Sequence, residues 1–176
     1  MRVIDACAGA GGKSLHLAAI MKNKGRIVAM DVESHKLEEL KKRARRAGVD
    51  NLETRIIESS KTIKRLENAA DRLLLDVPCS GLGVLKRNPD AKWKLSPEFV
   101  EQVRDLQQHI ITDYSTMLKP GGIMVYSTCS LLPSENGKQV EKFLLSSENR
   151  FELTEEKICW PSEGFDGFYI AQIKKK

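Results

Sequence analysis

The sequence lacks the features that mark membrane and secreted proteins. No apolar run approaches the roughly 20 residues that a membrane-spanning helix requires. The first residues contain no basic stretch followed by an apolar one, so we expect no secretory leader and a location in the cytoplasm. Internal repeats and low-complexity tracts are absent as well. We therefore predict a globular protein with no membrane partner.

Cysteine and histidine are scarce, and their spacing does not suit a metal site. The chain has 4 cysteines and 3 histidines, and no cysteine belongs to a Cys-x-x-Cys pair. This spacing argues against zinc, so we expect no metal ion. A disulfide framework is not expected in a cytoplasmic chain of this size. For Cys7 and Cys159 an ordinary buried thiol is favoured over a catalytic one, although the backbone at Cys7 can still line a ligand.

The composition is that of one folded domain. The 176 residues can build a substantial core but are too few for two ordinary domains, so we predict a single domain over residues 1–176. Hydrophobic residues make up 41% and charged residues 30%, which is the balance of a globular chain and not of a disordered one. The net charge of +5 permits an anionic partner but does not require one.

Strands and helices alternate along the chain. Predicted strands cover residues 3–5, 26–31, 52–57, 72–76, 123–127, 151–153 and 167–173. Predicted helices cover residues 14–21, 34–47, 61–68 and 96–118, and a further helix opens at residue 133. Gly48 is expected to end the second helix, and Ser96 is expected to cap the start of the fourth. This order predicts an α/β layer fold whose last two strands are antiparallel neighbours at one edge.

Two cysteines follow two of the predicted strands. Cys79 closes an Asp-Val-Pro-Cys sequence that begins at Asp76, directly after the short run 72–75. Cys129 follows the apolar run 123–126 in the sequence Ser-Thr-Cys-Ser. Such runs are typical of buried parallel strands, and ligands bind outside the carboxyl ends of these strands in open α/β sheets. We therefore expect two thiols and one carboxylate to meet in one crevice.

A glycine-rich turn and two acids predict a nucleoside-containing cofactor. The turn at residues 5–13, DACAGAGGK, allows the backbone to approach a ligand closely, although it matches neither the P-loop nor the Gly-x-Gly-x-x-Gly spacing. Asp31 closes the second strand, where a carboxylate binds ribose hydroxyls, and Glu58 follows the third strand, where it would meet a base. NAD and S-adenosylmethionine are both compatible with this pattern.

Four motifs together resemble the Fmu/Sun family of RNA methyltransferases. They are CAGAGGK at 7–13, DVPCSGLG at 76–83, RNPDAKW at 87–93 and YSTCS at 126–130, and the likeness extends to DGFYIA at 166–171. The pairing of a Pro-Cys motif with a downstream Thr-Cys motif is specific to that family, whose members make 5-methylcytosine in RNA with S-adenosylmethionine as methyl donor. The resemblance implies a Rossmann-like class I methyltransferase with a mostly parallel seven-stranded sheet, helices on both faces and an antiparallel edge.

The same resemblance assigns roles by position. Asp31 would bind the ribose hydroxyls of the donor, and Glu58 would face its adenine. Asp76 would lie between the donor and the target base, with Cys129 as the nucleophile and Cys79 as the cysteine that releases the product. The family usually has aspartate at the Glu58 position and proline at the fourth residue of the first motif. The remaining donor-binding residues implied are those of that motif: Cys7, Ala8, Gly9, Ala10, Gly11, Gly12 and Lys13.

The implied chemistry is covalent catalysis at cytosine. A Cys129 thiolate would add to carbon 6 of the base, which makes carbon 5 nucleophilic toward the donor methyl group. An ordinary cysteine is only a few per cent ionised at neutral pH, so the site should lower the Cys129 pKa. We expect backbone N–H groups and a cation such as Lys13 to do so. Asp76 would bind ring nitrogen 3, and Cys79 would assist loss of the carbon 5 proton.

RNA is the partner that the resemblance implies, with ribosomal RNA first and transfer RNA second. Arg87 could form an internal ion pair with Asp90 instead of contacting RNA. Because the chain begins almost inside its first strand, and family members carry an upstream segment and often an RNA-binding domain, we expect the catalytic core of a longer protein. The cationic and aromatic residues that suit phosphates and bases follow the Pro-Cys motif: Lys86, Arg87, Lys92 and Trp93.

Three alternative functions remain open at this point. A DNA cytosine methyltransferase would use Cys79 as its nucleophile, and the additional Thr-Cys motif argues against it. A module that binds S-adenosylmethionine or RNA without turnover would keep the same motifs. An NAD-dependent oxidoreductase could use the glycine-rich turn, but it would leave Cys129 and Asp76 without an obvious role.

Overall fold

A computed structural model describes the backbone of residues 1–176 and the side chains of all of them except Lys94. The described chain contains seven strands: β1 (Arg2–Asp5), β2 (Arg26–Asp31), β3 (Leu52–Ile56), β4 (Ala70–Asp76), β5 (Leu118–Thr128), β6 (Phe151–Cys159) and β7 (Phe168–Lys175). It also contains six α-helices: α1 (Gly12–Ile20), α2 (Ser34–Arg46), α3 (Ser60–Lys64), α4 (Ala91–Lys94), α5 (Pro97–Tyr114) and α6 (Gly137–Ser146).

The strands form one sheet in the order β3-β2-β1-β4-β5-β7-β6. Neighbouring strands from β3 to β5 are parallel, whereas β7 is antiparallel to both β5 and β6. This topology confirms the predicted mostly parallel sheet with an antiparallel edge. The chain runs outward from β1 to β3 and then returns to place β4 on the other side of β1. The carboxyl ends of β1 and β4 therefore flank a topological switch point, where α/β sheets bind ligands.

Both faces of the sheet are covered by helices, which explains the apolar inner strands. In β2 the residues 27–30 are all at most 1% exposed, as expected for a parallel strand buried on both sides. α2 packs on one face, where Leu40 is fully buried. α5 and α6 pack on the other face, where Ile111 and Phe143 join the main core. The predicted helices on both faces are thus confirmed.

Two helix ends follow the sequence signals, but several elements have other bounds than predicted. α3 ends at Lys64 instead of residue 68, and α6 begins at Gly137 instead of residue 133. Gly48 follows α2 with φ of 65°, and the Ser96 hydroxyl accepts a hydrogen bond from the Phe99 N–H at 3.2 Å. α5 ends at Tyr114 instead of residue 118, because Leu118 already pairs with β4. β6 extends to residue 159 instead of ending at 153, because its whole length pairs with β7.

The Pro-Gly-Gly sequence at 120–122 falls between the predicted helix 96–118 and the predicted strand 123–127, where these residue types indicate a break in the chain. It lies inside β5 instead, where the register between β4 and β5 shifts. The pairing resumes beyond the shift and continues to Asp76 and Ser127. Among the helices described, none combines the length and the apolar character that crossing a membrane requires.

Candidate active site

The structure brings Cys79 and Cys129 into contact. Cys79 follows β4 and Cys129 follows β5, and these two strands are neighbours in the sheet. Their Sγ atoms are 3.2 Å apart, and both residues are partly buried. The last residue of β4, Asp76, pairs with Ser127 of β5 just before the two cysteines. Two thiols and one carboxylate therefore share the carboxyl edge of the sheet.

The contact between the two sulfurs makes their acidities unequal. A hydrogen bond from the Cys79 thiol lowers the pKa of Cys129 to about 7, against the opposing effects of burial and of the Asp76 charge. The same hydrogen bond, together with burial, raises the pKa of Cys79. Backbone hydrogen bonding and the Lys13 charge contribute to the same lowering of the Cys129 pKa. These two causes were predicted from the sequence, whereas the larger one, the neighbouring thiol, results from the fold.

Asp76 is held by two donors from different elements. The Lys13 ammonium lies 2.5 Å from Oδ2, and the Ser127 hydroxyl donates to Oδ1 at 3.0 Å. The Lys13 ammonium also lies 5.2 Å from the centre of the Phe168 ring, so the side chain is directed across the end of the sheet. Lys13 thus connects the glycine-rich turn to the carboxylate that adjoins the cysteines.

A cavity of about 330 Å³ opens beside this carboxylate, at the carboxyl ends of β1, β2 and β4. Asp31 lines it with a fixed orientation, because Oδ2 accepts the Gly9 N–H at 2.8 Å and Oδ1 accepts the Glu33 N–H at 2.9 Å. The volume of the cavity falls in the range of small-molecule sites. The residues that line it are Ala6, Cys7, Gly9, Asp31, Val32, Glu33, Lys36, Ile57, Asp76, Val77, Pro78, Leu106, Ile110 and Tyr114.

Only part of the glycine-rich turn faces the cavity. Cys7 and Gly9 line it, and a Cβ added at Gly9 would meet no atom within 4 Å. The Cys7 thiol has a raised pKa because of its burial, which agrees with its expected lack of a catalytic role. Gly12 begins α1, also with open space around it.

The other small residues of the turn contact α2 instead of the cavity. Ala8 belongs to the apolar cluster that contains Leu40, and a Cβ at Gly11 would collide with the Leu40 side chain. The Ala10 carbonyl accepts a hydrogen bond from the Arg43 guanidinium at 2.7 Å. These residues hold the turn in place, so the structure separates them from the residues that can touch a ligand.

The role of Glu58 at the adenine stays a prediction. Its side chain is exposed and is not among the residues that line the cavity, whereas its neighbour Ile57 is. The strand-end argument correctly identified the loop, but a one-residue change points the side chain in another direction. At the same mouth the sequence argument missed Glu33 and Lys36, which form an ion pair at 2.5 Å. Residues 106, 110 and 114 of α5, four residues apart, form an apolar wall of the cavity. In the sequence this spacing indicates only a helix face that packs on the core.

The cavity is rich in negative charge. Asp5 is 1% exposed, its Oδ2 accepts the Ser14 hydroxyl at 2.6 Å, and its Oδ1 is buried with no hydrogen-bond partner among the described side chains. Burial raises its pKa to about 6. The charges of Asp5, Asp31 and Asp76 all raise the pKa of the Cys7 thiol, so their negative fields overlap there.

This charge distinguishes the two cofactors that the sequence left open. A diphosphate such as NAD needs free backbone N–H groups and a positive field, yet the Gly9 N–H is already bonded to Asp31. S-adenosylmethionine carries a sulfonium and an ammonium group, which carboxylates attract. Asp5 lies behind the cavity lining, where its charge adds to those of Asp31 and Asp76. The residues present therefore fit S-adenosylmethionine better than NAD.

The cationic and aromatic residues after the Pro-Cys motif lie on an exposed segment beside the cysteines. Lys86, Arg87 and Lys92 are exposed, and Trp93 is 80% exposed, so its indole is not part of the core. The Lys92 ammonium lies 4.8 Å from the centre of the Trp93 ring. Arg87 forms an ion pair with Asp166, and the pairing with Asp90 considered from the sequence was wrong.

This segment is attached to the cysteines through the backbone. The Gly83 N–H donates to the Cys129 carbonyl at 2.8 Å, and the Gly167 N–H donates to the Gly83 carbonyl at 2.7 Å. A Cβ at Gly83 would lie 2.7 Å from the Cys129 carbonyl oxygen and even closer to that of Gly167. Three loops thus cross here in direct contact. Within the described part of the chain, no three His, Cys, Asp or Glu side chains are grouped to hold a metal ion.

The sheet order and the crevice at its carboxyl edge define the fold of class I S-adenosylmethionine-dependent methyltransferases. Residues 1–174 match the family model described as 16S rRNA methyltransferase RsmB/F. The chain therefore belongs to this family, and the resemblance to the Fmu/Sun family is confirmed.

Curated relatives of this family align with nearly the whole chain. The probable ribosomal RNA small subunit methyltransferase B of Bacillus subtilis (strain 168) is 35% identical over 194 residues, covering 99% of this chain and 43% of the relative. The ribosomal RNA small subunit methyltransferase F of Serratia proteamaculans (strain 568) is 33% identical over 191 residues, covering 99% of this chain and 40% of the relative. The chain thus spans less than half the length of these relatives.

Solved structures share the fold closely. NSun6 from Pyrococcus horikoshii, solved with SFG, has a TM-score of 0.87 at 29% identity, over 98% of this chain and 47% of that chain. A methyltransferase homolog protein from Pyrococcus horikoshii has a TM-score of 0.83 at 31% identity, over 99% of this chain and 61% of that chain.

Proposed function

We propose that this chain is the catalytic core of an RNA methyltransferase that transfers the methyl group of S-adenosylmethionine to carbon 5 of cytosine. Small-subunit ribosomal RNA is the proposed substrate, because the matching family and the curated relatives carry that description. Transfer RNA is the second candidate. The observation that carries the proposal is the Cys79–Cys129 pair, with its sulfurs 3.2 Å apart beside the acidic cavity.

The cavity supplies the groups that S-adenosylmethionine requires. Asp31 would bind the ribose hydroxyls, since both of its oxygens are already oriented by backbone N–H groups. The charge of Asp76 in the lining, with that of the buried Asp5 behind it, would attract the sulfonium and ammonium groups. Ile57 and Ile110 offer apolar surface for the adenine. A structural neighbour solved with SFG, an analogue of the same compound, supports this assignment. When bound, S-adenosylmethionine supplies an electrophilic methyl group.

Cys129 is the proposed nucleophile because its pKa of about 7 leaves a large thiolate fraction at neutral pH. The sulfur lone pair would form the bond to carbon 6, and the electron pair of the carbon 5–carbon 6 double bond would move toward carbon 5 and the ring. Carbon 5 then has the electrons with which to take up a methyl group. The single difficult substitution is split into two easier steps, which is the advantage of covalent catalysis.

Asp76 and Cys79 are proposed to manage the protons. A proton shared between Asp76 and ring nitrogen 3 would draw electrons from the ring and make carbon 6 more electrophilic, with Lys13 as the nearest donor at 2.5 Å. After methylation the carbon 5 proton leaves, its bonding pair restores the carbon 5–carbon 6 double bond, and the carbon 6–sulfur pair returns to Cys129. Cys79 would assist this proton transfer, directly or through water.

The RNA would approach over the exposed segment that follows Gly83. Lys86, Arg87 and Lys92 would contact phosphates, and the exposed Trp93 ring is available for stacking on a base. The target cytosine must leave its stack to reach the cysteines, which costs a few kcal/mol in a duplex and less in a loop.

Trapping of a covalent adduct tests the proposal. A Cys79→Ala variant is incubated with S-adenosylmethionine and unmodified small-subunit ribosomal RNA, and the products are separated on a denaturing gel. We expect a protein–RNA band that a further Cys129→Ala change removes. Cys159→Ala serves as the matched control, since this cysteine ends β6, two strands away from β5, and it should form no stable adduct while it methylates RNA.

The outcomes separate the alternative functions. A band that persists without Cys129 would assign the nucleophile to Cys79, as in DNA cytosine methyltransferases. Donor binding by calorimetry with neither adduct nor methylated RNA would leave a binding module, and would refute the enzymatic proposal for this chain. Transfer RNA in place of ribosomal RNA distinguishes the two substrate classes.

A further inference from the structure

Glu135 is a buried carboxylate with four hydrogen bonds from neutral donors. It is fully buried in the loop between β5 and α6. Oε1 accepts the Ser80 N–H at 2.8 Å and the Gln107 side-chain amide at 3.1 Å. Oε2 accepts the Ser80 hydroxyl at 2.5 Å and the Ser130 hydroxyl. Burying a carboxylate is costly unless such donors satisfy it, so this position demands an explanation beyond packing.

The two serines that Glu135 holds are the direct neighbours of the two cysteines. Ser80 follows Cys79, and Ser130 follows Cys129. The serine hydroxyls are also 3.1 Å from each other, so the carboxylate and both hydroxyls form one closed group. The Glu135 side chain thus links the two loops through their serines, and the loops also meet through their cysteine sulfurs.

Glu135 is itself held firmly by the surrounding core. The Tyr126 hydroxyl donates to its carbonyl at 2.7 Å. The next residue, Asn136, accepts the Thr128 hydroxyl at 2.5 Å and donates to the Ser130 carbonyl at 2.9 Å. On the other side, Gln107 of α5 donates to the Pro78 carbonyl at 2.8 Å as well as to the carboxylate. The two cysteine loops are therefore fixed to a rigid frame and not only to each other.

We propose that Glu135 is a positioning residue, which holds the loops of Cys79 and Cys129 at the separation where the two sulfurs share a hydrogen bond. The carboxylate touches neither sulfur, so it acts through Ser80 and Ser130. Its value for turnover rests on the function proposed above, but its effect on the thiol pair does not.

The reactivity of Cys129 provides a readout that a merely structural role would not move. The titratable groups that act on this thiol are Cys79, Asp76 and Lys13, and the contact with Cys79 is the largest cause of its lowered pKa. If Glu135 sets that contact, loss of Glu135 should raise the pKa of Cys129 toward that of an ordinary thiol. A change in overall stability alone would leave the midpoint of the reactivity unchanged.

The experiment measures alkylation of Cys129 by iodoacetamide as a function of pH in the 176-residue chain, with the modified peptide quantified by mass spectrometry. We expect a midpoint near the pKa of about 7 in the parent chain. In Glu135→Gln, which keeps the size but replaces one acceptor oxygen by a donor, the midpoint should rise by about 1.5 pH units toward the value of a free cysteine. Cys79→Ala should give the same rise, and the two changes together should give no more.

Asp71→Asn is the matched control. Asp71 also holds a backbone N–H, that of Arg2 at 2.6 Å, and a side chain, that of Lys119 at 2.7 Å, but it lies at the start of β4. This variant should lose stability and keep the Cys129 midpoint. A parental midpoint in Glu135→Gln, with a raised one in Cys79→Ala, would overturn the proposal.

A second variant covers the case in which Glu135→Gln does not fold. Ser130→Ala removes only one of the two links to Glu135, and we expect a smaller rise of the midpoint in the same direction. An unchanged midpoint in this variant would also refute the positioning role. Because the assay uses neither RNA nor S-adenosylmethionine, a failure of the proposed function alone would leave its result intact.

Discussion

Replacing Asp5 by asparagine removes a carboxyl group from a fully buried position at the end of β1. Burial raises the pKa of Asp5 from its ordinary 3.8 to about 6, against the opposing effect of the Ser14 hydroxyl. In the unfolded chain this carboxyl loses its proton near pH 3.8, whereas in the folded chain it keeps the proton up to about pH 6. The unfolded state binds fewer protons in this window, so the contribution of Asp5 to stability is lost as the pH rises.

The size of the effect follows from the same values. Each pKa unit corresponds to about 1.4 kcal/mol, so ionised Asp5 destabilises the fold by about 3 kcal/mol above its folded pKa, of which about 2 kcal/mol develops between about pH 4.5 and about pH 7.5. Asp5→Asn should therefore gain about 2 kcal/mol relative to the parent chain over this interval. Urea unfolding of both chains at the two pH values measures the difference and cancels the titration of all other groups.

Asp71→Asn provides a control of opposite sign. Hydrogen bonds from Lys119 and from the Arg2 N–H hold the pKa of Asp71 below its ordinary value, so its contribution to stability is present at neutral pH and is lost as the pH falls. This variant should be more destabilised at the higher pH. If the Asp5→Asn difference does not change with pH, Asp5 is not buried in its ionised form, and the argument from the acidic cavity fails with it. Asp5→Asn should also bind S-adenosylmethionine about tenfold more weakly by calorimetry, because the negative charge behind the cavity lining is lost.

Three further predictions concern the cysteine edge. Gly83→Ala should lower the free energy of unfolding in urea by about 3 to 5 kcal/mol, because the added Cβ overpacks the crossing and two backbone hydrogen bonds are lost. Gly137→Ala is the control and should not have this effect, since its added Cβ would meet its nearest atom at 3.8 Å. Equal stability of the two variants would contradict the crossing of the loops. Cys79→Ala should slow alkylation of Cys129 about tenfold at neutral pH without abolishing it, so that an adduct with RNA can still accumulate, and the fast rate should return at higher pH. A parental pH profile in alkylation would show that another group lowers that pKa. Lys13→Gln should slow covalent adduct formation by at least about tenfold. Its free energy of unfolding should change by no more than about 1 kcal/mol, because the Lys13–Asp76 ion pair is part-exposed. A normal rate in single-turnover assays would exclude Lys13 as the proton donor.

The structure corrects the sequence argument mainly where side-chain direction matters. Asp31 and Glu58 were both placed at strand ends, yet Asp31 lines the cavity and Glu58 is exposed. Lys13 lowers the Cys129 pKa as expected, but its ion pair with Asp76 was not predicted. Glu135 has no motif of its own, although its neighbours in the sequence include the Thr-Cys motif that carries Cys129. The roles of all these residues in catalysis and binding stay predictions until the experiments above are done.

The sequence by itself determined the α/β alternation, the position of the crevice and the family. These follow from local patterns, because apolar periodicity sets strands and helices, and parallel strands bring their carboxyl ends to one edge. Only the tertiary structure decided that Cys79 and Cys129 touch, since 50 residues separate them in the chain. It also decided that Glu135 binds Ser80 from 55 residues away. Such contacts depend on how the strands pair and how the loops pack, and a pKa depends on the charges and burial that result.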